Sequence, residues 1–201
     1  MSDTITARGS ESKFKAHPDG QFVAQCVDTI DLGFKVQDFP GTKPYLAQTC
    51  VLVFRTGEVN EDTREFIDVA REFTVSMGEK ANLRKFLEQW RGKPYTPEQI
   101  REGVPLHKLT GNFGLLTVVQ RPNKAGTRTY ATITACVGIP KQMQGATTRY
   151  DDTYVRADYW AARVAEYAAA AEAFRAASAA PSEDHNDFPS ALADEKDDLP
   201  F

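Results

Sequence analysis

Near residue 79 the hydrophobic period of this chain changes from two to about 3.6, and near residue 112 it changes back. Few folds accept that order. Residues 21–32 put Phe22, Ala24, Cys26 and Ile30 on one parity and Gln25, Thr29 and Asp31 on the other, the mark of a half-buried strand. Asp28 interrupts the inward row, which predicts a bulge, and Gly33 is expected to end the strand. A long loop, 34–44, is punctuated by Pro40 and Gly41. It leads to a second strand at 45–55, rich in Val, Leu and Phe. A polar, turn-rich connection at 56–62 precedes a third strand at 65–76, where Ile67, Val69, Phe73 and Val75 share a face.

Residues 79–90 then carry Leu83, Phe86, Leu87 and Trp90 at helical spacing. Gly92 is placed as a helix stop, and Thr96 with Pro97 opens a short helical turn. Strand character returns at 112–120 and 128–138, joined by a hairpin link at 121–127. In the last strand Ala131, Ile133, Ala135 and Val137 are expected to point one way, and Arg128, Tyr130, Thr132 and Thr134 the other. Three strands, a helix and two strands predict a mainly β fold. The pattern fits a five-stranded OB-fold barrel with the helix between strands 3 and 4, although other five-stranded folds share it.

Around this domain, placed at 14–142, the sequence predicts a flexible N-terminus at 1–13 and a linker with an Ala-rich helix at 143–180. In the helix, Trp160, Tyr167 and Phe174 stand seven apart, with Val164 and Ala171 four beyond the first two. That stripe serves either to pack across the barrel or to pair with a second subunit as a homodimer. Pro181 closes the helix, and 181–201 is expected to be a disordered acidic tail with seven acids against one base, Lys196. Charge divides the same way. Residues 1–150 carry a net +4 and residues 151–201 a net −8. A basic body with an acidic tail suits a body that meets a polyanion and a tail that avoids it.

The tail ends in Asp197, Asp198, Leu199, Pro200 and Phe201. An aromatic ring beside a main-chain carboxylate, stiffened by Pro200 and steered by acids, is the chemistry of a short peptide read by a partner's apolar pocket. These residues resemble the C-terminal tip of the bacterial and phage single-stranded-DNA-binding proteins, the SSB group. The resemblance implies a DNA-coating body and a tip that recruits replication or recombination enzymes. Residues 83–95 and 106–111 also look like a family of small phage-encoded proteins from replication and recombination regions. No site residue is carried over from that likeness. The insertion between strands 3 and 4 is longer than in bacterial SSB, so the usual tetramer is not carried over either.

Binding single-stranded DNA needs cations for phosphates and flat rings for bases. An OB-fold offers them along strands 2 and 3 and on the loops beside them. The first loop supplies Lys35, Phe39 and Lys43. Strand 2 supplies Tyr45 and Arg55, strand 3 Arg71, and the last hairpin Arg121, Lys124, Arg128 and Tyr130. Each has a plainer reading. Phe39 could anchor its loop, Arg71 could be a paired structural ion, and Lys124 and Arg128 could be solvated charge. Phe54 and Phe73 read as core.

Catalysis finds little support, and no enzyme activity or cofactor is expected. His17, His107 and His185 are scattered, and a phosphate-binding glycine loop is absent. Glu61, Asp62 and Glu65 cluster in a turn beside Arg64, a weak basis for a metal-dependent nuclease. Cys26, Cys50 and Cys136 lack zinc spacing and read as buried, reduced thiols of a cytoplasmic protein, in a bacterial host if phage-encoded. No apolar run is long enough to span a membrane. Two rivals use the same residues: an adaptor whose groove binds protein while the tip competes for SSB-type pockets, and a protein that anneals complementary strands.

Overall fold

The segment 49–55 is buried at every position. A strand with one wet face alternates, so this one must be covered on both sides. The computed structural model, which describes residues 15–179, shows how. The five strands are β1 (Gly20–Gln37), β2 (Tyr45–Arg55), β3 (Val69–Thr74), β4 (Phe113–Pro122) and β5 (Thr129–Val137). They form one antiparallel sheet in the order β3-β2-β1-β4-β5. Helix α1 (Asn82–Arg91) follows β3, the short α2 (Pro97–Glu102) follows α1, and α3 (Tyr159–Ala179) comes last. The N-terminal stretch and the acidic tail with its tip lie outside the described residues.

On one face of β2, Cys50, Leu52 and Phe54 join Ala24, Cys26, Val69, Phe73, Leu116, Val118, Ile133 and Cys136. Helix α1 closes this core with Leu83, Phe86, Leu87 and Trp90, the four residues whose spacing predicted it. Phe54 lies 5.3 Å from the Trp90 ring and 6.3 Å from Phe86, centroid to centroid. On the other face, Val51 and Val53 meet Val27, Ile30 and Leu32 beneath Trp160 and Tyr167 of α3. The apolar stripe of α3 is therefore occupied by the protein's own sheet, with Trp160, Tyr167 and Ala171 buried. An ion pair pins the approach to α3: Arg156 donates to both carboxylate oxygens of Asp28 at 2.7 and 2.8 Å. Of the two uses open to the stripe, the described residues show packing across the sheet, so the helix in 143–180 is part of the folded unit.

Several sequence expectations need correcting. Gly33 does not end β1. The strand passes through it to Gln37, with a register shift between Asp31 and Gly33 and φ +77 at the glycine. The Asp31 carboxylate accepts from the Gly33 N–H at 2.9 Å and holds the bulge. The predicted bulge beside Asp28 is present as a second shift. The loop shrinks to 38–44, so Lys35 is a strand residue. β3 is shorter than 65–76, since Phe66 makes only an isolated bridge to Val59 before the strand starts. In β5 a register shift opposite Thr117 and Val118 turns the second half over, so Cys136 is buried with Ile133, and Ala135 and Val137 are not.

The sheet is not closed by a continuous ladder. Its end strands, β3 and β5, are joined instead by a side chain. Arg71 donates to the carbonyls of Ile133 and Thr134 at 3.0 and 3.3 Å. Gly114 locks α1 against the sheet. A Cβ there would lie 2.6 Å from Cys136 Sγ and 2.8 Å from Trp90 Nε1, and the Trp90 indole N–H donates to the Phe113 carbonyl at 2.9 Å. The three cysteines are buried, as expected. Burial pushes the Cys26 and Cys50 thiols up to about 12 and Cys136 in the same direction, so all three stay neutral at physiological pH.

Candidate nucleic-acid interface

Arg71 organises the seam between the end strands. It points to the core side of β3, opposite Leu52, between Val69 and Phe73. Its guanidinium lies 5.0 Å from the Phe73 ring and 5.3 Å from Phe86. Loss of solvent lowers its pKa, yet an arginine this close to the surface remains a cation. Beside it opens a groove of about 730 Å³ that also takes in Lys35, Tyr45, Glu72, Lys80 and Asn82. Three of the predicted residues, Lys35, Tyr45 and Arg71, are thus brought together.

Their states differ. Lys35 is engaged: it pairs with Glu72 at 2.7 Å and stands 5.1 Å from the Tyr167 ring. Burial alone would lower its pKa, but Glu72 and Tyr167 outweigh that and raise it. Tyr167 also donates to Glu72, at 3.0 Å, and Arg163 lies 3.7 Å away. Tyr45 is 47% exposed at the groove's edge, free to offer a ring face. Sequence reasoning missed Lys80 and Asn82. They flank the N-cap of α1, Ala81, whose side chain caps nothing, so the positive end of the helix adds to this wall. The signal was available: a lysine before a helix start with no Ser, Thr, Asp or Asn at the cap.

The loop after β1 is a tight turn. The Phe39 carbonyl accepts from the Thr42 N–H at 3.1 Å and from its hydroxyl at 2.9 Å, with Pro40 and Gly41 (φ +83) at the corners, as a type II turn requires. It carries Phe39, 51% exposed, and the exposed Lys43. Phe39 is therefore no anchor for its loop.

The β4–β5 hairpin holds the remaining candidates. Asn123 builds its tip: the side-chain carbonyl accepts from the Thr127 and Arg128 N–H groups at 2.9 and 3.3 Å, and the main-chain N–H donates to the Arg128 carbonyl at 2.8 Å. Lys124 and Arg128 project from this frame and are exposed. Arg121 and Tyr130 face each other across the two strands, and Tyr130 is 46% exposed. Arg128 lines a second groove of about 610 Å³ with Lys15, Ile67, Gln120 and Thr129, in which Glu58 and Glu61 also stand. The two grooves lie at opposite ends of β3, one reached by Phe73 and Thr74, the other by Ile67 just before the strand.

Arg55 does not belong to this set. It is 6% exposed, donates to both oxygens of Asp68 at 2.7 Å, and lies 4.4 Å from the Phe66 ring and 5.3 Å from Tyr154. It is a structural ion on the face that α3 and its approach cover. The partner-binding residues Asp197, Asp198, Leu199, Pro200 and Phe201 lie outside the described residues. Among the described residues no group of His, Cys, Asp and Glu is arranged to hold a metal ion, and no helix is long and apolar enough to cross a membrane. Against this geometry, comparison with protein-family models, curated proteins and solved structures finds no match.

Proposed function

We propose that this protein coats single-stranded DNA with little sequence preference and recruits replication or recombination enzymes through residues 197–201. In this reading the sheet acts as an OB-type barrel whose β3–β5 seam Arg71 closes. The strand order supports it, because in that fold the first strand lies between the second and fourth and the third strand meets the fifth. The observation that carries the proposal is the pair of sites at the two ends of β3. One joins Tyr45, Arg71 and Lys80; the other is lined by Arg128, on the hairpin that also carries Arg121, Lys124 and Tyr130. Each offers exposed rings for bases and cations for phosphates, the two things a single strand needs and a duplex cannot use equally.

The face of β1 and β2 beneath α3 is closed to bases, so the strand's path crosses the seam and the open side of β4 and β5. The test is fluorescence anisotropy with labelled oligo(dT) and with a duplex of equal length, at two salt concentrations. Tight binding to oligo(dT) that weakens with salt, with the duplex much weaker, is the expected result. A folded protein that ignores oligo(dT) at low salt would falsify it.

A further inference from the structure

A third recess shares no lining residue with either groove. It holds about 280 Å³ at the C-terminal end of α1, and Leu87, Trp90, Tyr95, Leu109 and Phe113 form its walls. That is just below the ~300–1,000 Å³ of drug-sized ligand pockets, so it suits one base with its sugar rather than a dinucleotide. Arg91 stands at the rim, its guanidinium 4.1 Å from the Tyr95 ring centroid, a flat cation that extends the aromatic surface. Its described hydrogen bond is to the neutral Gln99 amide oxygen at 3.3 Å, and its neighbour Glu88 is turned to Arg84 and to the Tyr95 N–H. Asn112, also at the wall, donates from its amide nitrogen to the Lys108 and Leu109 carbonyls at 2.6 and 3.1 Å. What it presents to a ligand is therefore its carbonyl oxygen, an acceptor for the N–H that every base has on its pairing edge. Lys93, between Arg91 and Tyr95 in sequence, and Lys108, beside Leu109, are exposed. Aromatic walls, one acceptor and a cationic rim describe a place for a flat ring that carries a negative charge.

Cations join this recess to the first groove. From residue 79 to residue 93 five bases stand against two acids, Glu79 and Glu88, and Glu88 is bonded to Arg84. Lys80 lines the first groove just before α1 begins, Lys85 is exposed on the helix, and Arg91 and Lys93 come at its end. Helix α1 has 10 residues, about 15 Å at ~1.5 Å per residue, so a strand leaving the first groove meets the recess within a few nucleotides.

We propose that the strand runs on from the first groove along α1 and lodges one base in this recess, against the rings of Trp90, Tyr95 and Phe113, with a neighbouring phosphate on Arg91 and Lys93. The inference rests on the DNA reading for its occupant, and adds to it a base site on the helix side of the molecule, off the two grooves.

The experiment uses the full chain and an oligo(dT) that carries one 4-thiothymidine, at the first, a middle or the last position in separate samples. Free 4-thiothymidine monophosphate is a further arm. Light-induced cross-links are mapped by mass spectrometry. One terminal position should label residues 87–95 or 109–113, and the other positions should label the grooves. Arg91→Glu should lower the recess label about tenfold, as loss of one charge-assisted phosphate contact does, while Arg91→Lys preserves most of it. Lys93→Ala, at an exposed position, should lower it in the same direction. Groove labels of unchanged yield in each variant show that the protein is still folded. Labelled grooves with a bare recess, or a recess label indifferent to Arg91→Glu, would overturn the inference and leave the DNA reading standing. A recess labelled by the free monophosphate and by no oligo(dT) position would also overturn it, because the site would then serve a loose nucleotide. A folded protein labelled nowhere would overturn both.

Discussion

The two halves of the sheet use the same residue types for opposite ends. On the covered half, beneath α3 and the segment that leads to it, three cations each meet an acid. Arg55 is bidentate on Asp68, Lys35 is on Glu72, and Arg156 is bidentate on Asp28. Rings there are buried or pressed on those cations. On the open half, Arg71 bonds carbonyls, Arg121 faces a tyrosine, and Lys124 and Arg128 project from a hairpin tip framed by an asparagine. Tyr45, Phe39 and Tyr130 are about half exposed. Neutralised charge over buried rings holds a fold together. Charge that lacks an acid, beside rings that lack a cover, is available to something else. The difference separates Arg55 from Arg128 where composition cannot.

The largest effect should fall on the covered half. Asp68→Ala leaves the 6%-exposed Arg55 without its carboxylate. Breaking one partner of a buried pair costs about 3–5 kcal/mol. Urea unfolding should show that loss, while oligo(dT) affinity, measured where the variant is still folded, should be unchanged. A variant of near-normal stability would mean that the covered half is not held by its ion pairs. Reduced DNA affinity in the folded variant would erase the division between the halves.

The next effect belongs to the open half and should show the reverse pattern. Tyr45→Ala and Tyr130→Ala each remove a ring that is about half exposed. Loss of a stacked base costs ~1–3 kcal/mol of affinity, roughly 5- to 150-fold. Thermal stability should scarcely move. The double variant separates a continuous strand path from two independent ends. If one strand spans both grooves, the two losses add in free energy on a long oligo(dT), whereas on a very short one only a single loss appears.

Much of the covered half was legible in the chain, and little of its pairing was. The helical spacing of Leu83, Phe86, Leu87 and Trp90 named α1 and its buried face, and Gly92 and the Thr96–Pro97 start marked its neighbours correctly. The Val-, Leu- and Phe-rich run of β2 marked a strand, and its burial on both faces emerged only with α1 and α3 in place. What local pattern could not supply was register. Gly33 reads as a stop, but pairing with β2 carries β1 through it, and Asp31 absorbs the irregularity. The shift in β5 exchanges Ala135 for Cys136 on the inner face, because one displaced residue inverts every parity after it. Arg55 was misread for the same reason. Its partner, Asp68, lies 13 residues away and becomes a neighbour only once β2 and β3 pair. The hairpin and loop candidates are exposed, since exposure of a turn follows from its own sequence.

A smaller effect refines the electrostatic side of the open half. Lys124→Ala and Arg128→Ala remove charges that contact, on the DNA reading, one phosphate each. Each should flatten the plot of log affinity against log salt by about 0.7 on a single strand. Lys35→Ala should leave the slope alone, because Glu72 already neutralises that lysine. Equal slopes for all three would mean that phosphates ignore the distinction between paired and unpaired cations.

The smallest effect tests a latch between α1 and the segment that follows it. The Glu88 carboxylate accepts from the Tyr95 N–H at 3.0 Å and from Arg84 at 2.9 Å. The backbone bond first and Arg84 second hold its pKa below the ordinary glutamate value. The unfolded chain therefore binds this proton more readily than the folded one, and stability rises with pH across the interval between the two values. Above the ordinary glutamate pKa the contribution is complete. It fades as pH falls through the depressed one. The stability difference between the protein and its Glu88→Gln variant, followed by urea unfolding from pH 7 downward, should be constant at first and then shrink below about pH 4.5. A difference that persisted unchanged into strong acid would mean that Glu88 holds Tyr95 by shape alone, and its charge would have no part in keeping the Tyr95 ring where Arg91 covers it.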